Sequence, residues 1–316
     1  MAASDHFDGR RFFNPGGANG QSFWRVPQLL LTPRTRWPDH VPVEPQRPPP
    51  PGGPDEIVVT FIGHASFLIQ SAAGNVLTDP IYSRRASPVR FAGPRRVRAP
   101  GVAFEDLPEI AVVLVSHAHY DHCDLATLSA LERRFGPLFV APLNQGRLLR
   151  SAGLRRIVEL DWWQEVAAPL EVALTPAQHF SARTPFDHNR ALWGGFILRV
   201  AGRRLFFAGD SGYGPHFRQI RARYGPVDLA LLPIGAYEPR WFMRDLHMNP
   251  EEAVQAHLDL ESRQSLAMHF GTFQLTPEGI DAPLAALDLA LDEHGVPRGR
   301  FRGLDCGGSW GLGARA

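Results

Sequence analysis

The stretch Val112-Val113-Leu114-Val115-Ser116-His117-Ala118-His119-Tyr120-Asp121-His122 decides how the rest of the chain is read. Four apolar residues in a row, preceded by Ile110 and Ala111, predict a buried strand. Three histidines and an aspartate follow at once. A tight loop at a strand end points such side chains into one small volume at the edge of a sheet. Neutral imidazole nitrogens and carboxylate oxygens there are ligands that suit zinc. His117 and His119, two apart, can share one ion, and Asp121 and His122, further round the loop, are placed to reach a second. A polar surface loop is the alternative, and the density of ligand-type residues behind an apolar strand argues against it.

Three more stretches repeat the pattern of an apolar run ending in a ligand-type residue. Residues 171–177 lead to Gln178-His179-Phe180, residues 205–208 to Gly209-Asp210-Ser211, and residues 265–268 to His269-Phe270-Gly271. Positions 119, 179, 210 and 269 leave room for a strand–helix unit or a hairpin between successive ligands. Each stretch alone reads as a satisfied core histidine or a capping aspartate. In order behind the first motif, they read as one metal site.

The bulk numbers bound the rest. The chain has 316 residues, 44% hydrophobic and 21% charged, the balance of a globular protein with a sizeable core. A net charge of +1 argues against a general nucleic-acid binder. All 33 basic residues are arginine, which reads either as genomic composition alone or as phosphate recognition wherever one reaches the site. Two cysteines, Cys123 and Cys306, form no disulfide framework and fit a reducing compartment. Cys123 adjoins the metal loop and reads as packed, with ligation the alternative. No signal-peptide core opens the chain and no apolar run reaches the roughly 18 residues of a membrane span, so a cytoplasmic protein is expected.

Residues 1–55 are Pro- and Gly-rich and predict an arm, with residues 56–316 forming one catalytic domain. Phe12, Phe13, Phe23, Trp24, Leu29, Leu30 and Leu31 in the arm either cover an apolar surface or touch lipid. The loop over residues 83–100 carries Arg84, Arg85, Arg90, Arg95, Arg96 and Arg98 and reads as solvated. Strands are expected at 57–62, 67–70, 138–141, 157–160, 171–175, 193–200, 204–207, 229–233 and 266–268. Helices are expected from 125, at 145–152 and 216–224, from Asn249-Pro250 with Asn as cap, and around Leu284 to Leu291. Trp162 and Trp163 read as core.

The whole set resembles the metallo-β-lactamase superfamily, and within it the branch that hydrolyses N-acylphosphatidylethanolamine as a phospholipase D. The resemblance rests on the motif 116–122 and on Leu77-Thr78-Asp79-Pro80, Gly209-Asp210-Ser211-Gly212-Tyr213, Pro233-Ile234-Gly235-Ala236-Tyr237, His247 before Asn249-Pro250-Glu251-Glu252, and Met268-His269-Phe270-Gly271. It covers almost the whole chain. It implies an α/β (α+β) fold, a four-layer αββα sandwich with the metals at one edge. It implies His117, His119 and His179 on one zinc ion, Asp121, His122 and His269 on the other, and Asp210 bridging. Asp121, Asp210 and His247 would be catalytic, with metal-activated hydroxide as nucleophile and His247 holding a phosphoryl oxygen or protonating the departing alkoxide. A surface histidine before a helix is the alternative for His247. His64 is expected to support a ligand from behind. Leu246 stands where a polar residue belongs in the branch. The expected cofactors are two Zn2+ ions. The expected partners are a phospholipid substrate, a peripheral membrane surface and a second copy of the chain, with no nucleic acid. A lactonase or cyclic-phosphate hydrolase is the competing enzyme class, and an inactive metal-binding protein the non-enzymatic one.

Overall fold

The computed structural model describes residues 4–17, 20, 25, 28, 29, 31–167 and 169–313. Fourteen strands among them form two seven-stranded mixed sheets. In chain order they are β1 (Ile57–Gly63), β2 (Ser66–Gln70), β3 (Val76–Thr78), β4 (Val112–Leu114), β5 (Leu138–Pro142), β6 (Ile157–Leu160), β7 (Glu165–Val166), β8 (Glu171–Thr175), β9 (Gly195–Val200), β10 (Arg203–Phe207), β11 (Leu229–Pro233), β12 (Gln264–Met268), β13 (Phe301–Arg302) and β14 (Ser309–Leu312). The helices are α1 (Leu125–Phe135), α2 (Gly146–Ser151), α3 (His216–Tyr224), α4 (Arg240–Met243), α5 (Pro250–Asp259) and α6 (Ala282–Glu293). One sheet runs β14-β1-β2-β3-β4-β5-β6 and the other β13-β12-β11-β10-β9-β8-β7.

The apolar runs are continuous because both faces of the central strands are covered. In the first sheet Val59, Phe61, Phe67, Ile69, Val112 and Leu114 turn to a core shared with the second sheet. The residues between them, Ile62, Leu68, Leu77 and Val113, turn to a separate core completed by Leu128 and Leu131 of α1. Period-two alternation thus splits each strand between two apolar environments. Phe217 of α3, Val254 of α5 and Leu287 of α6 join the second sheet's side. The result is the αββα sandwich.

Strand direction gathers the site. Strands β3, β4 and β5 run parallel, as do β10, β11 and β12. Strand β8 is antiparallel to β9 and β9 to β10, so β8 shares the direction of β10. The C-terminal ends of β3, β4, β8, β10 and β12 therefore open on loops that carry Asp79, residues 116–122, His179, Asp210 and His269.

Packing decides several readings that the sequence left open. Phe12 is no lipid-facing anchor: it is 2% exposed, packed with Phe7 in the shared core, and its backbone N–H donates to the Asn189 carbonyl at 2.8 Å. Burying a phenylalanine among strand side chains removes more apolar surface from water than a chain end lying free. Phe23, Trp24 and Leu30 lie outside the described residues. The arginine loop is only partly solvated. The Arg96 guanidinium donates to the carbonyls of Ile81, Ser83 and Arg98, and burial lowers it to about 10. Cys123 is fully buried, burial pushes its thiol up to about 12, and it joins none of the ligand groups that converge among the described residues, so it reads as packed.

Candidate metal centre

The loops after β3, β4, β8, β10 and β12 converge at the sheet edges with the β1–β2 turn that bears His64 and the segment that bears His247. In one group His117 Nε2 lies 2.8 Å from His119 Nδ1, and His179 Nε2 lies 3.3 Å from the same atom. In a second, Asp121 Oδ2 lies 3.4 Å from His122 Nε2 and 3.4 Å from His269 Nε2. Asp210 Oδ2 faces both groups. It is 3.0 and 3.1 Å from the nitrogens of His122 and His269, and 3.9 and 3.8 Å from those of His117 and His179. All seven side chains picked out in the sequence meet here. His247 joins them, its Nδ1 4.0 Å from Asp210 Oδ2, and it is buried, which removes the surface alternative.

The ring tautomers are set from behind. The His122 Nδ1 N–H donates to Asp79 at 2.7 Å, which aims Nε2 inward. The His117 Nδ1 N–H donates to Ser116 Oγ at 2.9 Å, and that hydroxyl donates in turn to Asp79. One carboxylate at the end of β3 thereby orients an imidazole from each group. The His179 Nδ1 N–H donates to the Leu246 carbonyl at 2.9 Å. The branch's missing polar side chain at 246 is thus no loss to the histidine, because the main chain holds it. His64 Nε2 lies 2.9 Å from Asp121 Oδ2, the support expected of it. Asp79 went unassigned in the sequence; its signal was an aspartate closing an apolar strand, the same pattern that marked Asp210.

The residues fit a pair of cations. Burial holds His117 well below its usual range, His119 at about 3 and His179 at about 4, so these imidazoles stay neutral and offer lone pairs. Burial pushes His122 and His269 down too, but Asp210 and Asp121 outweigh it, holding His122 well up and His269 at about 9. That second group calls for positive charge. His122 Nε2, His269 Nε2, His247 Nδ1 and Asp210 Oδ1 are buried without a hydrogen-bond partner. Buried donors and acceptors that lie close yet misaligned are satisfied by a cation at their common focus.

A cavity of about 310 Å³ opens from this cluster. His119, Asp121, Asp210 and His247 form its floor, and Leu29, Phe180, Phe242, Met243, Leu246 and Leu275 its largely apolar wall. A cluster of candidate metal ligands facing an apolar pocket defines the class: a metal-binding domain of the αββα sandwich type.

The comparisons agree with that class. The family profile described as beta-lactamase superfamily domain matches residues 74–270, and the chain belongs to this superfamily. A Mycobacterium tuberculosis protein named only as uncharacterized is 42% identical over 77% of this chain and 66% of its own length. N-acyl-phosphatidylethanolamine-hydrolyzing phospholipase D 1 of Caenorhabditis elegans is 37% identical over 69% of the chain and 65% of its own length. The mitochondrial enzyme of the same name from Saccharomyces cerevisiae is 35% identical over 75% of the chain and 52% of its own length. The chain thus spans about two thirds or less of these relatives. Among solved structures, a metallo hydrolase from Ignicoccus hospitalis superposes with a TM-score of 0.62 at 23% identity, covering 82% of this chain and all of that one. The diiron β-hydroxylase CmlA of Streptomyces venezuelae superposes with a TM-score of 0.61 at 22% identity, covering 82% of this chain and 54% of that one.

Proposed function

We propose that this chain is a two-zinc phosphodiesterase that hydrolyses phospholipids of the N-acylphosphatidylethanolamine type to phosphatidic acid and an N-acylethanolamine. The observation that carries the proposal is the position of Asp210 Oδ2, within 3.9 Å of nitrogens from both histidine groups at the floor of an apolar pocket. His117, His119 and His179 would hold one ion, Asp121, His122 and His269 the other, and Asp210 both. The borderline nitrogen and oxygen set favours zinc. When bound, such a pair activates water and offsets charge developing at phosphorus.

The chain's own groups do the rest. The apolar wall orients an acyl chain and excludes water from the floor. His247, kept neutral by burial, has an unpartnered Nδ1 facing Asp210 and is the residue proposed to hydrogen-bond a phosphoryl oxygen; a neutral imidazole has no proton to spare for the departing alkoxide. The relatives named for this activity support the substrate class, and the apolar lining weighs against a soluble lactone or cyclic phosphate.

The proposal includes a cytoplasmic protein that meets its membrane peripherally. Among the described residues no helix is long and apolar enough to cross a bilayer. Leu31, Phe91 and Phe186 are strongly exposed, and Arg84, Arg90 and Arg95 are exposed on the loop that carries Phe91. The deciding experiment incubates zinc-loaded protein with N-acylphosphatidylethanolamine and identifies products by mass spectrometry. Release of phosphatidic acid supports the assignment. Two bound metal ions with no cleavage of any phosphodiester would sink it.

A further inference from the structure

The arm places one more charged group at the pocket. Among the described residues Arg34 is the only arginine lining the cavity that Asp121, Asp210 and His247 floor. Its place is built. Arg34 Nη2 donates to the Leu275 carbonyl at 3.0 Å, and the next residue's N–H, at Thr35, donates to the Pro277 carbonyl at 2.9 Å. Gln274 returns a bond to the Thr35 carbonyl at 2.7 Å, and the buried Trp37 indole donates to the Glu278 carbonyl at 2.8 Å. Residues 34–37 are thus stitched along the loop that follows His269, whose Leu275, Thr276 and Pro277 line the same cavity. One guanidinium nitrogen is committed to this brace, while Arg34 forms no ion pair with any described carboxylate.

We propose that Arg34 forms an anion subsite at the pocket, reading a negatively charged oxygen of an amphiphile whose chain lies on Leu29, Leu246 and Leu275. The inference deepens the phosphodiesterase reading and rests on the pocket being the substrate site. A fork of N–H donors held in one place suits a phosphate oxygen, and an arginine anchored through its main chain loses less freedom on binding than a free surface one. Arg34, like Leu275, Thr276 and Pro277 of the same pocket, lies outside the matched residues 74–270. Arg34 is a positioning and specificity residue, not a catalytic one.

The test uses zinc-loaded full-length protein, with Arg34→Ala and Arg34→Lys, and two probes at submicellar concentration: dodecyl phosphate, and the neutral N-dodecanoylethanolamine. Calorimetry should show Arg34→Ala weakening dodecyl phosphate about tenfold, with the neutral amide unchanged and Lys recovering part of the loss. In turnover of an anionic phosphodiester, KM should rise by a similar factor while kcat and zinc content hold. Equal weakening of both probes, or of neither, would overturn the subsite. Wild-type protein that binds dodecyl phosphate through Arg34 yet cleaves no phosphodiester would refute the catalytic reading alone.

Discussion

At the scale of single residues, the centre is governed by groups one bond behind the proposed ligands. Asp79 takes hydrogen bonds from the Ser116 N–H and hydroxyl and from His122, and through Ser116 it also sets His117. Asp79→Asn offers an amide where a carboxylate accepted from His122, and the ring loses its enforced tautomer. Metal affinity should fall about 10–100-fold, as for other carboxylates behind ligating histidines. Competition with a chromogenic chelator reads this, and unchanged affinity would remove Asp79 from the site. His247→Ala should behave oppositely: both ions retained by elemental analysis, turnover lowered about 100-fold or more. Metal loss in that variant would make His247 a ligand.

At the scale of elements, a short segment between β11 and α5 holds His247 in place. Helix α5 opens with a full capping box: Asn249 Oδ1 accepts from the Glu252 N–H at 2.8 Å, and Glu252 accepts from the Asn249 N–H at 3.1 Å. Glu252 also accepts from Arg240 of α4 at 2.7 Å, and Arg240 donates to the His247 carbonyl at 2.8 Å. The cap therefore braces the turn that bears His247. Asn249→Ala should cost about 1 kcal/mol. The loss should appear as a melting temperature lowered by about 2 °C. Turnover should fall further than stability, with metal content intact. A variant that melts lower yet turns over normally would confine the cap to the helix.

At the scale of the whole molecule, buried neutral histidines make the fold acid-sensitive. His216 is buried, its Nε2 3.1 Å from Ser211 Oγ and its ring tilted against Phe217, and burial lowers it to about 3. Its folded value lies below its unfolded one, so full stability is present above pH 6.5 and is lost as pH falls from there toward 3. Across that window one such group contributes a slope of at most about 1.4 kcal/mol per pH unit. Denaturant unfolding of wild type and His216→Gln between pH 7 and 4.5 should give a shallower slope in the variant. Parallel slopes would show that His216 keeps its proton uptake in the folded state.

Much of this was legible in order along the chain. An apolar run followed by a histidine or aspartate is a local pattern, and β4, β8, β10 and β12 each end as such a run implies. Asn249-Pro250 announced its helix because a cap and its N3 partner are three residues apart. The resemblance, carried by the same local motifs, supplied the sandwich. Other features were silent. Strand β14, in a Gly-rich tail, exists because it pairs antiparallel with β1, from Ile57 opposite Leu312 to Thr60 opposite Ser309. Strands β7 and β13, two residues each, likewise depend on a neighbour's ladder. The arm's apolar residues could have covered the domain or touched lipid, and in the folded chain Phe12 enters the core and the Asn14 amide donates to the His179 carbonyl at 2.8 Å. Asp79 against His122, Leu246 against His179 and Arg34 against Leu275 are pairings across 43, 67 and 241 positions. Residue type and spacing picked out the side chains that converge at the sheet edge. Only the folded chain decided which groups aim them and wall the pocket, because hydrogen-bond geometry and burial between distant segments leave no period in the sequence.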